Sequence, residues 1–583
     1  MNMNTIGRTL LTRKLNLKVF QVNSLRTSMS NTGTGSQNWD DYPFLRNCEK
    51  ETTNPVQGNV TGTIPSWLQG ELLRNGPGIQ KIGNDSYRHI FDGLAILHKF
   101  SLKDGKAYYQ SRALRSDTYK KNMEANRIVV SEFGTYAVKD PCQSLFGRLK
   151  SEFTAVSSLF TKSNSAPDVT DNCCVNVGYY GDQLYAMTEA NFVRQVNPET
   201  LETLGGRTNI SKFVAVNSAS AHPHILEDGT AINVGNSYRH AGGPHYCFIK
   251  VPPSFNSEKT SFENATLIAE IPSRWKMSPA YFHSFGITKS GKLIFVEYPL
   301  CLNLLGLAAG GIMQKSYCEW MTWYPNEKTR FHVISMEDGK VHPVTYETDQ
   351  LFLFHHINAF EQDGELIVDV AGYSDGEWVG HITTKDTLNN GKFSEKASAR
   401  RYVLPLNVES EKPGENLVKL KATTATASLR NGEKNPIIDL TPQDLSESMI
   451  ELPRINYKYN GQNYKYLYGL GDTAPTNTYK FGMNVVTKID IETGKKIEWV
   501  VEEGTMASEP VFVPDTTKVN PEEDDGVILT ALLPCDKPTS VSLLVLNAKT
   551  MKEIARAEFA AEGAITGTFH GQWAQTGEKI HLY

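Results

Sequence analysis

The sequence predicts an all-β fold of the propeller type, and three observations carry that reading. From about residue 55 onward the chain reads as short strand-like runs bounded by turn residues, for example Leu293–Glu297, Glu365–Val370 and Val527–Leu532. A turn motif recurs between such runs: Asn197-Pro-Glu-Thr200, Asp490-Ile-Glu-Thr493 and Asn547-Ala-Lys-Thr550, with Asp104-Gly105 and Asp338-Gly339 doing the same work through glycine. The runs do not alternate with helical patterns, which argues against a doubly wound sheet and leaves a propeller ahead of a sandwich. The repeat is too degenerate to yield a blade count by itself.

The N-terminal segment differs in composition. No acidic residue precedes Asp40, while Arg8, Arg13, Lys14, Lys18 and Arg26 alternate with Leu10, Leu11, Leu15, Leu17, Val19 and Phe20. That is the pattern of a mitochondrial transit peptide, followed by a Ser/Thr/Gly-rich stretch from Ser28 to Ser36. Residues 1–38 are therefore expected to be a transit peptide with a flexible linker, and residues 39–583 a single propeller domain. Mitochondrial localisation follows from this, with the cytoplasm as the alternative.

Two segments read as helical. Leu145, Phe146, Leu149, Phe153, Val156, Leu159 and Phe160 share one helical face, and Leu302–Met313 is apolar on nearly every side. Lys385–Arg400 and Val408–Asn435 read as polar, exposed linkers.

The 583 residues carry 59 Lys+Arg against 64 Asp+Glu, a formal net charge of −5. Without a basic excess there is no electrostatic case for a nucleic-acid partner. A hydrophobic content of 40% and the lack of a long uncharged apolar run exclude a polytopic membrane protein and a largely disordered chain. The eight cysteines form neither a CxxC pair nor a regular framework, which points to a reducing compartment and away from a zinc–thiolate site. Gly76-Pro77-Gly78 lacks the lysine of a phosphate loop, and there is no GxSxG nucleophile elbow.

Four of the fourteen histidines sit in short motifs with apolar or small neighbours: Ala221-His222-Pro223-His224, Tyr281-Phe282-His283-Ser284, Phe354-His355-His356-Ile357 and Thr568-Phe569-His570-Gly571. One such histidine is ordinarily a satisfied core residue. Four together point to a metal site, because imidazole suits Fe, Zn, Cu and Ni. On a strand, His355 and His356 point to opposite faces, so only one reaches a shared centre, whereas His222 and His224 could both face one side. Successive gaps of 61, 72 and 215 residues fit one ligand per blade of roughly 70 residues, hence about seven blades. Glu189, Glu451 and Glu509 lie in strand-like contexts and are candidates to receive the second ring N–H of a bound imidazole. Taken singly, each reads as an ordinary ion-pair or turn residue. Four neutral ligands leave Fe²⁺ with open octahedral positions, while zinc would make a closed site; the residues alone do not choose.

These motifs, in this order, resemble the carotenoid oxygenase family. Leu72-Leu73-Arg74-Asn75-Gly76-Pro77-Gly78, Phe91-Asp92-Gly93, Asp140-Pro141-Cys142 and Glu523-Asp524-Asp525-Gly526-Val527 add to the match, which runs from Pro55 to Trp573. The resemblance implies a seven-bladed β-propeller with a helical and loop dome over an iron site. It implies one Fe(II) per chain on His222, His283, His355 and His570, backed by Glu189, Glu451 and Glu509. The implied activity is that of a dioxygenase that cleaves one carotenoid double bond with O₂ into two carbonyl products. An apolar tunnel would select the bond. Peripheral contact with membrane lipid is expected through Leu145, Phe146, Leu149 and Phe153, with Leu302–Met313 beside them.

Within the family, the basic presequence, Thr329–Val333 and Ser211–Asn217 resemble members that cut eccentrically at 9′,10′, which is the expected position. Glu451–Tyr457 and Asp171–Cys173 look more like members that cut centrally at 15,15′. Retinoid isomerohydrolase or isomerooxygenase activity on the same scaffold is a further alternative.

Overall fold

The computed structural model describes residues 42–137, 169–238, 242–255, 259–384, 396–408, 413–430, 436–472 and 483–581. The expected transit peptide and linker, residues 1–38, lie outside the described residues, as do Leu145, Phe146, Leu149 and Phe153.

Among the described residues the strands form seven sheets, antiparallel apart from one pairing in the fourth, that are the blades of a β-propeller, as expected, with two additional two-stranded pairs. The strand Gly526–Pro534 shows why these residues form blades. Val527, Leu529, Ala531 and Leu533 pack toward the first blade, whereas Ile528 and Leu532 pack toward the sixth. Alternating side chains of one strand thus serve two different cores, so blade strands read as almost continuous apolar runs. Seven such cores alternate with the seven blades, one in each interface around the ring. Burying each Leu, Val or Phe there contributes about 1.5–3 kcal/mol.

The recurring turn is a single structure used three times. Asn197 accepts from the N–H groups of Glu199 and Thr200, Asp490 from Glu492 and Thr493, and Asn547 from Lys549 and Thr550. The fifth residue, Leu201, Gly494 or Met551, is left-handed at φ 59°, 69° and 54°. Its N–H returns to the first residue's carbonyl at 2.8 Å in all three. Ser335–Gly339 closes the same backbone bond at 2.9 Å, with Ser335 Oγ accepting from the Asp338 N–H at 3.4 Å.

The ring closes twice. The C-terminal strand His570–Gln575 pairs with Gly70–Ile79 and completes the first blade from the inside, with Asn75 opposite His570. On the outside, Val56–Gln57 joins the first blade and Asn59–Gly62 joins the seventh. Gly571 permits the inner pairing, because a Cβ there would lie 2.2 Å from the Leu73 carbonyl oxygen.

Two expectations need correction. The first supposed linker, Lys385–Arg400, runs into the strand Ser398–Pro405 of the fifth blade, and the second, Val408–Asn435, contains Thr426–Leu429, which with the following Ile437–Thr441 extends the fourth. The extension joins through a parallel pairing, Thr345 opposite Ile437, and interrupts the fifth blade's own strand order. Its buried positions include the small residue Ala427, which carries a weak apolar signal. The helix Asp117–Ala125 was not expected; Ser116 caps it by accepting from the Tyr119 N–H at 2.9 Å. The second expected helix is present as Leu304–Met313.

Candidate metal centre

Six of the seven blades bring a site residue to the axis on or beside their innermost strand. His222 lies between Ser218–Ala219 and His224–Ile225, and His283 precedes Gly286–Ile287. His355 lies within Phe352–Gln362, Glu451 begins Glu451–Arg454, Glu509 precedes Val511–Pro514 and His570 begins the closing strand. The second blade differs: Glu189 follows its second strand, Gln183–Met187.

The four histidines converge so that one nitrogen of each lies within 4.8 Å of the others. His222 Nε2 is 2.8 Å from His283 Nε2, and His355 Nε2 is 3.3 Å from His570 Nε2. Three rings are fixed from behind. His283 Nδ1 donates to Glu189 Oε1, His355 Nδ1 to Glu451 Oε2 at 2.6 Å, and His570 Nδ1 to Glu509 Oε1 at 2.8 Å. Each of these bonds holds the proton on Nδ1 and turns the Nε2 lone pair inward. Lone pairs at such separations repel one another, and a cation between them removes that repulsion. For His222 no carboxylate partner is found among the described residues. Burial, then the neighbouring imidazoles, push the His222 pKa well below its ordinary value. His283 is also lowered, by burial against the pull of Glu189, and burial takes His570 down to about 3. Neutral, inward-facing imidazoles are the protonation state a metal requires, and this donor set fits the iron that the resemblance implies.

The carboxylates have different companions. The Tyr281 hydroxyl donates to Glu189 at 2.9 Å and the Tyr373 hydroxyl to Glu451 at 2.7 Å. Glu509 instead receives Arg454 on both oxygens, Arg74 at 3.4 Å and the Gly571 N–H at 3.0 Å. Burial alone would raise the Glu451 and Glu509 pKa values; His355 lowers the first, and Arg454 with His570 lowers the second. Leu452, between Glu451 and Arg454, is left-handed at φ 50°, and the ladder to the next strand shifts there. That bulge lets Glu451 meet His355 while Arg454 meets Glu509.

The structure separates the adjacent histidines of each pair. His224 hydrogen-bonds through Nε2 to the Phe285 carbonyl at 2.9 Å and through Nδ1 to Asn460 at 3.2 Å, so it is not a member of the cluster. His356 likewise stays outside, on Ser284. Arg74, Arg454, Tyr281 and Tyr373 were not singled out from the sequence, although the first three stand inside quoted motifs. The same holds for Phe354 and Phe569, which immediately precede ligand-position histidines.

On one side the cluster borders an apolar cavity walled by Phe91, Tyr281, Phe354, Tyr373, Trp378 and Phe569 among others. Phe569 stacks on Phe44 at 5.2 Å, and Phe91 meets both Phe354 and Phe569 edge-on. His283, His355 and His570 reach its wall. A long apolar molecule would be held there by shape and aromatic faces.

A propeller that carries four inward imidazoles and three buttressing carboxylates beside an aromatic cavity defines a metal-dependent enzyme of apolar substrates. Residues 45–575 match the family model described as retinal pigment epithelial membrane protein, RPE65. The chain belongs to this family, the RPE65/carotenoid oxygenase family of carotenoid-cleaving dioxygenases. Among curated relatives, the β,β-carotene 15,15′-dioxygenase of Rattus norvegicus is 40% identical over 527 residues, 88% of each chain. The carotenoid isomerooxygenase of Galleria mellonella is 37% identical over 92% of this chain and 96% of its own. The mitochondrial carotenoid-cleaving dioxygenase of Mustela putorius furo is 38% identical over 88% of this chain and 93% of its own. In fold, a solved Synechocystis apocarotenoid oxygenase variant superposes with a TM-score of 0.70 at 22% identity, covering 93% of this chain and all of its own.

Proposed function

We propose that the protein is an iron(II)-dependent dioxygenase that splits one double bond of a carotenoid with O₂ and releases two carbonyl products. The observation that carries this reading is the junction itself: the imidazoles of His222, His283, His355 and His570 converge, and three of them, His283, His355 and His570, reach the wall of an aromatic cavity. Iron(II), when bound, supplies the electrons for O₂ chemistry that these side chains lack. Glu189, Glu451 and Glu509 hold the ring protons on Nδ1 and so keep three lone pairs aimed at the centre. Phe91, Phe354, Trp378 and Phe569 exclude water and orient the polyene, which has little to hydrogen-bond. Tyr281 and Tyr373 do two things at once, walling the cavity while donating to the carboxylates behind His283 and His355. Iron-loaded protein incubated with β-carotene under O₂ is expected to yield carbonyl products; substrate consumption without them overturns the assignment.

For the position of the cut, the presequence and the two segments named above favour 9′,10′. The 40% identity to a 15,15′-dioxygenase favours central cleavage as the second reading. Apo-10′-carotenal with β-ionone identifies the first, and retinal alone identifies the second. Residues 1–38 are proposed to direct import into mitochondria, in keeping with the ferret relative's name. Lipid contact is proposed through the helix Leu304–Met313, where Leu305 is 64% and Met313 55% exposed. Among the described residues no helix is long and apolar enough to cross a membrane.

A further inference from the structure

Carboxylates turn three of the four imidazoles, and His222 is held differently, through its main chain. The peptide before it is fixed at both ends. The Ala221 carbonyl receives Asn176 Nδ2 of the second blade at 2.8 Å, and the His222 N–H donates to Ser220 Oγ at 3.0 Å. A planar peptide with both polar groups engaged cannot rotate, which sets the direction in which the His222 side chain leaves the backbone. Ser220 is itself anchored in the third blade: its N–H donates to the Val234 carbonyl at 2.8 Å, and its carbonyl receives Asn233 Nδ2 at 2.8 Å. Its hydroxyl proton goes across to the His283 carbonyl in the fourth blade. One oxygen thus ties the peptide before His222 to the peptide after His283, and the Nε2 atoms of these two residues lie 2.8 Å apart.

The device is repeated one blade further on. Ser284 Oγ donates to the Phe354 carbonyl at 2.6 Å and accepts from the His356 N–H at 3.0 Å. Those groups belong to the peptides immediately before and after His355, so a single hydroxyl from the fourth blade brackets this ligand position in the fifth. With its proton committed to Phe354, Ser284 Oγ also accepts from His356 Nδ1 at 3.0 Å, and His356 Nε2 has no hydrogen-bond partner among the described residues. Both serines are buried. Removing either hydroxyl would leave a buried carbonyl and a buried N–H unpaired beside a cluster histidine, and the peptides would move to find other partners.

We propose that Ser220 and Ser284 are positioning residues of the metal centre, whose hydroxyls set the spacing of the His222, His283 and His355 backbones across two blade interfaces. Ser220 does for His222 through the main chain what the carboxylates do for the other three through the ring. The inference rests on the metal reading of His222, His283, His355 and His570.

Cobalt(II) is the probe, because its visible bands report ligand geometry. The metal-stripped full chain is titrated with it, and the urea midpoint is measured alongside, for wild type, Ser220→Ala, Ser284→Ala, Ser220→Thr and Ser261→Ala. Ser261 is buried too and donates to the Tyr180 carbonyl at 2.7 Å, but it stands apart from the cluster, so its truncation reports the effect of losing a buried hydroxyl alone. Ser220→Ala and Ser284→Ala are expected to bind cobalt about tenfold more weakly, with shifted visible bands. Ser261→Ala should lower the urea midpoint and keep wild-type affinity and bands, and Ser220→Thr, which retains the hydroxyl, should restore both. Wild-type affinity and bands in the two alanine variants at the clamps overturn the role, as does equal weakening in Ser261→Ala or in Ser220→Thr. Should Ser220→Ala not fold, Ser284→Ala decides by the same comparison. A wild-type chain that binds no cobalt overturns the metal reading itself, and the positioning role with it.

Discussion

Arg454 places Nε and Nη2 on the two oxygens of Glu509, at 2.9 and 3.0 Å, and so sets a full positive charge behind the carboxylate that holds His570. The corresponding carboxylates behind His283 and His355 receive neutral tyrosine hydroxyls instead. Glu509 also faces Arg74, whose side chain is 0% exposed. The three buttresses are therefore unequal in charge, and their substitutions should separate.

Each of Glu189→Gln, Glu451→Gln and Glu509→Gln is expected to weaken metal binding about ten- to a hundredfold. Glu509→Gln alone should also cost roughly 3–5 kcal/mol of stability, because Arg74 loses its counter-charge in the interior. Glu189, with a side chain 25% exposed, should show the metal effect with little change in denaturation midpoint. Metal titration and urea unfolding of the three variants, side by side, decide this.

Alanine at His222, His283, His355 or His570 is expected to abolish metal occupancy and turnover while the ring of blades persists. His224→Gln should retain metal, since His224 is bound to Phe285 and Asn460 and stands outside the cluster. Metal analysis alongside circular dichroism is the check. Equal loss in His222→Ala and His224→Gln would indicate an HxH chelate and undo the assignment.

Acid should destabilise the fold earlier than a carboxylate-only account predicts. Burial pushes the pKa of His89 down to about 4, and of His98, His356 and His570 down to about 3. Unfolding returns each to about 6.5, so below that pH the unfolded chain binds more protons. Stability is then full above about pH 6.5 and falls as the pH drops toward 4. Glu509, whose folded pKa is depressed, adds a loss in the same direction at lower pH. Urea midpoints measured from neutral pH to about pH 5 should decline steadily; a flat profile would contradict the buried neutral imidazoles.

Leu305→Glu with Met313→Glu is expected to lower the fraction of protein that floats with liposomes. Both side chains are exposed on a helix without an acidic or basic residue in its terminal turns. Flotation at the wild-type level would remove this helix from the lipid contact.

Much of this architecture was legible because ligand geometry and chain periodicity are both local. The turn at Asn197, Asp490 and Asn547 declares itself in five residues, and His283, His355 and His570 each follow within two residues an aromatic that lines the cavity, Tyr281, Phe354 and Phe569. What stayed hidden is relational. Thr426–Leu429 is a strand only because Ile437–Thr441 and the fourth blade lie beside it. Arg74 and Arg454 become site residues through Glu509, 435 and 55 residues away in sequence. The left-handed turn at Leu452, which lets Glu451 and Arg454 both point inward, follows from no local propensity. His355 and His356 were expected to diverge, and they do; that the outer one keeps a bare nitrogen depends on where Ser284 spends its proton.

The pairing of Asn75 with His570 also sets a clock. A ribosome that has polymerised as far as Thr568 has made three of the four histidines and all three glutamates, yet no closed ring to arrange them. Until the last strand docks beside Gly70–Ile79, the chain presents only three of the four clustered imidazoles. The fourth imidazole and the closing strand are thus one element, so the cluster of four is complete only where the ring is closed.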